Sequence, residues 1–308
     1  MSRGPRGPRG RLAALVLAAC ATGASAPCLA GAFRYCDPPA ELDAVRQDEV
    51  LRLGAEVKRA LESSGVSAAL VARSGIDLDR FGMRYSHAGV ALRDHPAGPW
   101  TVRQLYFDCG ERRPRLFDEG VPGFLFGAAG APVSWLSVVL VPGADDALAR
   151  TALDARRATG LVGAAYSANA HAFAARYQNC NQWVAELLGL AWGAVPDGAT
   201  VRDDAQRWLR AQGYVPAVFE PRNPVMTLLG GVLPWLHMDD HPSEDIAEGV
   251  YRVSMPQSLE AFVRARVPGA RRMEFCLADR RIVVREGWTP IAAGCVPRDG
   301  DRVVALDG

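Results

Sequence analysis

An N-terminal export leader followed by an odd number of cysteines is the strongest constraint on this chain. It predicts a disulfide-stapled fold with one thiol left over. "MSRGPRGPRGR" supplies a positive n-region and "LAALVLAACATGASA" an apolar h-region too short to span a bilayer. Cleavage after Ala32 is preferred over cleavage after Ala26, which would leave Pro27 first. Residues 1–32 are therefore read as a signal peptide and the product as exported to the periplasm or cell envelope. "LAAC", ending at Cys20, also resembles a bacterial lipobox, which would attach the protein to a membrane through a lipid.

Of the 7 cysteines, Cys36, Cys109, Cys180, Cys276 and Cys295 outlast that cleavage. Cys276 and Cys295 are the natural pair, and Cys36 and Cys109 the next. Cys180 is then left free. Cleavage after Ala26 would instead restore an even number. The net charge of +1 gives no reason to expect a nucleic-acid partner. With 308 residues, 49% of them hydrophobic, a substantial core can form.

Hydrophobic periodicity supplies the elements. Residues 40–63 repeat apolar positions at Leu42, Val45, Val50, Leu53, Val57 and Leu61, which is helical spacing, and Gly65 ends the run. "VSAALVAR", "YSHAGVAL" (85–92), "WTVRQLYF" (100–107) and "VSWLSVVLVP" (133–142) read as strands, the second and third forming a hairpin across "RDHPAGP". "ADDALARTALDARRA" and "TVRDDAQRWLRAQGY" read as helices, as does a segment opening near Cys180 with Trp183, Val184, Leu187, Leu188 and Ala191 inward. A Pro- and Gly-containing stretch, 216–245, reads as a linker holding an apolar helix. Residues 246–308 read as a small α+β module that either supplies binding or completes the fold. Ser258 is expected to cap its helix, and arginines 264, 266, 271 and 272 to form a solvated face.

The chemistry centres on "RYQNCNQWVAELL" (176–188). A thiol at a helix N-terminus meets the positive end of the macrodipole and free backbone N–H groups, which favour the thiolate and can hold an oxyanion. The same cysteine is also a suitable apolar anchor for the helix. Among five histidines, His87 stands in a strand of small residues, and its hairpin partner carries polar Gln104 among apolar neighbours. On a shared sheet face, Gln104 can accept from one ring nitrogen and fix the tautomer while the other meets the thiol.

"SHAGVAL", then "WTVRQLYF", then "NCNQWV" resembles the circularly permuted branch of the NlpC-type papain-like superfamily, which includes YiiX-like proteins and the lecithin:retinol acyltransferase group. The resemblance implies an α+β fold, a permuted papain-like core at 33–215 with an antiparallel sheet and helices. It implies Cys180 as nucleophile, His87 as general base and Gln104 as the third polar residue, with no cofactor. Substrates would be peptidoglycan peptides or lipid-like acyl compounds. Asn181 stands where the acyltransferase pattern has an acid. Gln104 replaces a more usual acid or histidine, and it can orient imidazole but not stabilise imidazolium by charge. The whole chain also resembles an exported bacterial family of unknown function. Two other readings stay open: an inactive envelope binding protein on the same fold, and a metal site at "HMDDH" (237–241), where His237, Asp239, Asp240 and His241 cluster.

Overall fold

A strand that is apolar on both faces belongs in the middle of a sheet, and Ala68–Arg73 (β1) is buried at every position. In the computed structural model, which describes residues 36, 41–127, 133–220 and 235–306, β1 pairs antiparallel with His87–Leu92 (β2) on one side and Trp135–Leu140 (β5) on the other. Outside β2 lie Thr101–Asp108 (β3) and Arg113–Gly120 (β4). Outside β5 lie Arg271–Ala278 (β8), Arg281–Glu286 (β9) and Arg302–Ala305 (β10). Among the described residues this is an eight-stranded sheet of order β10-β9-β8-β5-β1-β2-β3-β4, antiparallel throughout. A separate ribbon pairs Ala217–Phe219 (β6) with Tyr251–Val253 (β7).

The protein is thus α+β. Helix α1 (Ala44–Ser63) starts at Asp43, whose side chain accepts from the Arg46 amide at 2.7 Å. It lays Val50, Leu53, Val57 and Leu61 on the sheet, together with Val121, Phe124 and Leu125 of α2 (Val121–Phe126). Val45, expected inward, is 54% exposed because it lies in the first turn, before the helix meets the sheet. Against the sheet also lie α3 (Asp145–Leu153) and α5 (Cys180–Trp192), with α4 (Ala155–Gly160) and α6 (Val201–Ala211) packed beside them. Helix α5 is apolar nearly all round and buries 11 of its 13 residues, as such a helix must.

The C-terminal segment does not stand apart. β8 runs beside β5 in six register pairs, from Trp135↔Cys276 to Leu140↔Arg271, so residues 246–308 complete the main sheet. The chain divides into two units, Met1–Cys36 and Asp37–Gly308, and the second carries every element described here. The leader and the apolar part of the predicted linker, 221–234, lie outside the described residues. After α7 (Ser243–Glu248), helix α8 (Pro256–Arg266) begins two residues before Ser258. Met255 occupies the cap position and Pro256 the first turn, where a missing N–H costs nothing. Arg264, Arg266 and Arg271 are exposed, but Arg272 is not. As an interior residue of β8 it is buried between Glu260 and Glu274, each at 3.1 Å.

Cys276 and Cys295 form a disulfide with Cα atoms 5.5 Å apart, pinning the loop after β9 to β8. Cys36 and Cys109 are each disulfide-bonded, and Cys180 is free. These bonds fit an oxidising, non-cytoplasmic location. Among the described residues no helix is long and apolar enough to cross a membrane.

Gly89 sets the approach of β2 to β3. A Cβ there would lie 2.7 Å from Val102 Cγ1, 3.0 Å from the Arg103 carbonyl and 3.3 Å from Gln104 Cβ. Gly89→Ala should therefore push the strands apart at a cost of about 1–3 kcal/mol, read as a lowered urea midpoint. An unchanged midpoint would show that the strands are not in this close contact.

Candidate active site

Alternation along paired strands puts Arg73 of β1, His87 of β2 and Gln104 and Tyr106 of β3 on the sheet face that carries α1 and α2. His87 and Gln104 are brought into direct contact. His87 Nε2 lies 2.5 Å from Gln104 Oε1, and both side chains are buried. Gln104 in turn donates its Nε2–H to Glu119 Oε2 at 2.8 Å. That second bond fixes which way the amide points. With its oxygen towards the ring, Gln104 requires a proton on His87 Nε2, which leaves Nδ1 as the lone-pair nitrogen. The rings of Tyr106 and Phe124 close around the imidazole at 5.0 and 5.7 Å between centroids.

Cys180 comes from the other direction, as the first residue of α5. Asn179 caps that helix, its side chain accepting from the Gln182 amide at 2.7 Å. Asn181 donates from Nδ2 to the Ser86 carbonyl at 3.2 Å, which ties the helix head to the residue before β2. The ladder between β2 and β3 covers only Val90–Leu92, so the Ala88 amide is not committed to β3. It faces the Cys180 sulfur instead, together with the amides of Asn181 and of Cys180 itself. The thiol therefore sits at the His87 end of β2, in a ring of backbone N–H groups.

What holds Cys180 there is a buried carboxylate. Residues 161–179, between α4 and α5, contain no helix or extended strand, so their polar groups are satisfied by scattered backbone bonds, such as Ser167 N–H to the Gln178 carbonyl at 3.2 Å, and by side chains. Glu186 of α5, with no exposure, accepts from Gln178 Nε2 at 2.6 Å, from Gln206 Nε2 at 2.6 Å and from Arg202 Nε and Nη2 at 2.9 Å each. Arg202 also donates to the carbonyls of Ala175 (2.5 Å) and Tyr177 (3.0 Å), and Gln182 to those of His171 (3.1 Å) and Ala174 (3.0 Å). The residues leading into Cys180 are thus fastened to α5 and α6.

The "HMDDH" residues serve the same loop. His237 stacks on Tyr177 with centroids 4.4 Å apart, and Asp239 pairs with Arg176 at 2.7 Å. Asp240 accepts from the His171 amide at 2.9 Å, and His241 Nε2 donates to the Asn169 carbonyl at 2.7 Å. His237 and Asp239 thus both meet the 176–177 segment, and His241 Nε2 stands 3.7 Å from Asp240 Oδ1. Among the described residues no group of three or more His, Cys, Asp or Glu side chains is arranged to hold a metal ion.

The electrostatics were not legible in the motifs. Burial, then the nearby Arg73 guanidinium, lowers the His87 pKa from its ordinary value to about 3, against a smaller rise from the Gln104 bond. Burial pushes the Cys180 thiol up to about 11, opposed by Arg73 and the surrounding amides. At neutral pH the resting pair is therefore uncharged thiol and uncharged imidazole. Arg73, Tyr106 and Glu119 are members of this site that sequence reading passed over. Arg73 ends an apolar strand and Tyr106 reads as an ordinary strand aromatic. Glu119 belongs to "RPRLFDEG", whose charges and proline hide a strand.

The profile of a family described as "Uncharacterized protein conserved in bacteria (DUF2145)" matches residues 60–263. The chain belongs to this family. The matched region runs from the end of α1 to α8 and includes His87, Gln104, Glu119 and Cys180, so the whole site lies within what defines the family. Searches of curated proteins and of solved structures returned no match.

Two outcomes follow for this site. Glu186→Ala leaves Arg202 buried without its carboxylate and should cost about 3–5 kcal/mol in urea unfolding. A loss below about 1 kcal/mol would mean that the loop is held otherwise. The second concerns acid. Free histidine binds its proton well above pH 3, so the unfolded chain takes up more protons than the folded one between about pH 6.5 and 3. The stability that His87 contributes is then complete above that window and is lost as pH falls through it. The slope of unfolding free energy against pH over this range should be shallower in His87→Asn than in the wild type. Equal slopes would show that His87 is not held neutral.

Proposed function

We propose that the protein is an exported thiol hydrolase or acyltransferase with a permuted papain-like core, acting on an amide, ester or thioester through Cys180 and His87. One observation carries the reading: a free thiol at the head of a buried helix faces the amide of Ala88, the residue after a histidine whose tautomer is set by the chain Glu119–Gln104–His87. In this reading the proton of Cys180 passes to His87 Nδ1 as Sγ bonds to the carbonyl carbon. The resulting oxyanion is received by amides that now face the sulfur, those of Ala88 and Asn181. The leaving amine, alcohol or thiol departs with the proton from His87, and an acyl-thioester remains on Cys180. Water then gives a proton to Nδ1 and its hydroxyl to the acyl carbon. Sγ leaves and recovers the proton. An amine in place of water makes the same sequence an acyl transfer.

Glu119 answers the objection that a glutamine cannot stabilise imidazolium by charge. Its carboxylate stands one amide beyond the ring and polarises Gln104 towards His87. Peptidoglycan peptides and lipid-like acyl compounds both satisfy this chemistry.

A second reading, a binding protein without turnover, is favoured by one fact: burial keeps both thiol and imidazole uncharged at rest. Treating the full chain with p-nitrophenyl acetate separates the two. We expect an acetyl group on Cys180, located by peptide mass spectrometry, with nitrophenolate release slowed ~10²–10⁴-fold in His87→Ala. Absence of acetyl at Cys180, or an equal rate in the variant, would favour the binding protein.

A further inference from the structure

The least satisfied charge in the described part of the molecule stands at this site. Arg73 ends β1 and is 2% exposed. A guanidinium offers five N–H donors and stays charged at any working pH. Among the described residues, Arg73 gives Nη1 to the Ser74 carbonyl at 3.3 Å and Nη2 to the Gly127 carbonyl at 2.9 Å. It lies 5.3 Å from the Phe124 ring centroid and bonds to the Tyr106 side chain. Its Nε–H has no hydrogen-bond partner, and among the described residues it forms no ion pair.

The other buried arginines are treated differently. Arg202 has Glu186 at 2.9 Å, Arg272 has Glu260 and Glu274 at 3.1 Å, and Arg285 has Asp301 at 2.6 Å. Burying a cation without a counter-charge is expensive. This fold pairs three arginines directly, but at Arg73 the Glu119 carboxylate, which faces the same Gly127 position, makes no ion pair with it among the described residues.

We propose that Arg73 is the receptor for a carboxylate, or a like anion, carried by the substrate near the carbonyl that Cys180 attacks. The inference rests on the functional reading above and narrows it to anionic acyl compounds, such as peptides with a carboxylate next to the scissile bond, over neutral acyl lipids. Docking has a second consequence. The unpaired guanidinium field faces His87 and opposes its protonation. A docked carboxylate offsets that contribution, which is the smaller one after burial. Arg73 then selects the substrate by its charge.

The test compares iodoacetate with iodoacetamide on the full chain, with adducts on Cys180 quantified by peptide mass spectrometry. In both, Sγ displaces iodide and the thiol proton leaves to His87 or solvent. An isolated thiolate repels iodoacetate and prefers the amide. We expect Cys180 of the wild type to prefer iodoacetate by ~10-fold or more, from a charge-assisted contact in a buried site. Arg73→Lys should keep a reduced preference, and Arg73→Met should reverse it. If Arg73→Met does not fold, sodium acetate decides: it should slow iodoacetate labelling saturably and leave iodoacetamide labelling unchanged.

A preference for iodoacetamide in the wild type overturns the proposal. So does a preference that survives in Arg73→Met, or failure of both reagents to reach Cys180. The two readings fail separately. His87-dependent acetylation without iodoacetate preference would remove the anion site alone. Iodoacetate preference without acetylation would leave Arg73 as the anion site of a binding protein.

Discussion

The Glu186 carboxylate is the point on which the candidate site hangs. It is fully buried and accepts four hydrogen bonds from three side chains, belonging to the loop before Cys180 and to α6. Irregular segments as long as 161–179 are uncommon inside compact domains, because their backbone groups lack ladder partners. Here the side chains of α5 and α6 supply those partners, and Glu186 orients the side chains. A buried ion pair with every lone pair used adds positional specificity more than net stability. What it specifies is the direction from which the chain enters α5, and therefore where the Cys180 sulfur stands.

A second polar chain approaches the same place from the sheet. Glu119 orients Gln104, and Gln104 orients His87. Neither chain touches the other. They meet at the His87 end of β2, where the ladder with β3 has stopped and the Ala88 amide is free to face sulfur. Between them stands Arg73, whose charge acts on both the thiol and the imidazole. The site is buried, and among the described residues its one guanidinium has no ion pair. An enzyme poised for an anionic partner would be built this way, since desolvation strengthens whatever charge interaction finally forms.

Much of this was legible in the sequence where local pattern and burial agree. "AALVAR", "HAGVAL" and "WLSVVL" are continuous apolar runs, and they became the three adjacent central strands β1, β2 and β5. "NCNQWVAELL" has both a cap and an apolar run, and it opened a helix at Cys180 as expected. Cys276 and Cys295 are close in sequence, and they pair. Legibility failed at the sheet margins and wherever long-range pairing decides. β4 is an edge strand, and its charges and proline, which protect an edge from pairing with other chains, give it no strand pattern to read. Glu119 was hidden with it. β8 to β10 read correctly as strands but not as parts of the main sheet, because nothing local in "MEFCLA" says that it lies against "WLSVVL". Arg272 is expected on a solvated face, and nothing local in "VSAALVAR" sets Arg73 apart. Only the packing of neighbouring elements shows that one is paired and the other is not.

The account turns on the state of one imidazole. The most direct measurement is two-dimensional ¹H–¹⁵N NMR of the side-chain nitrogens of the histidines, with His87 assigned by its absence in His87→Asn. A neutral ring with its proton on Nε2 at pH 5 is the predicted result. A proton on Nδ1, or titration near 6.5, would mean that Glu119 and Gln104 do not set this histidine as a base, and the thiol beside it would lose its claim to catalysis.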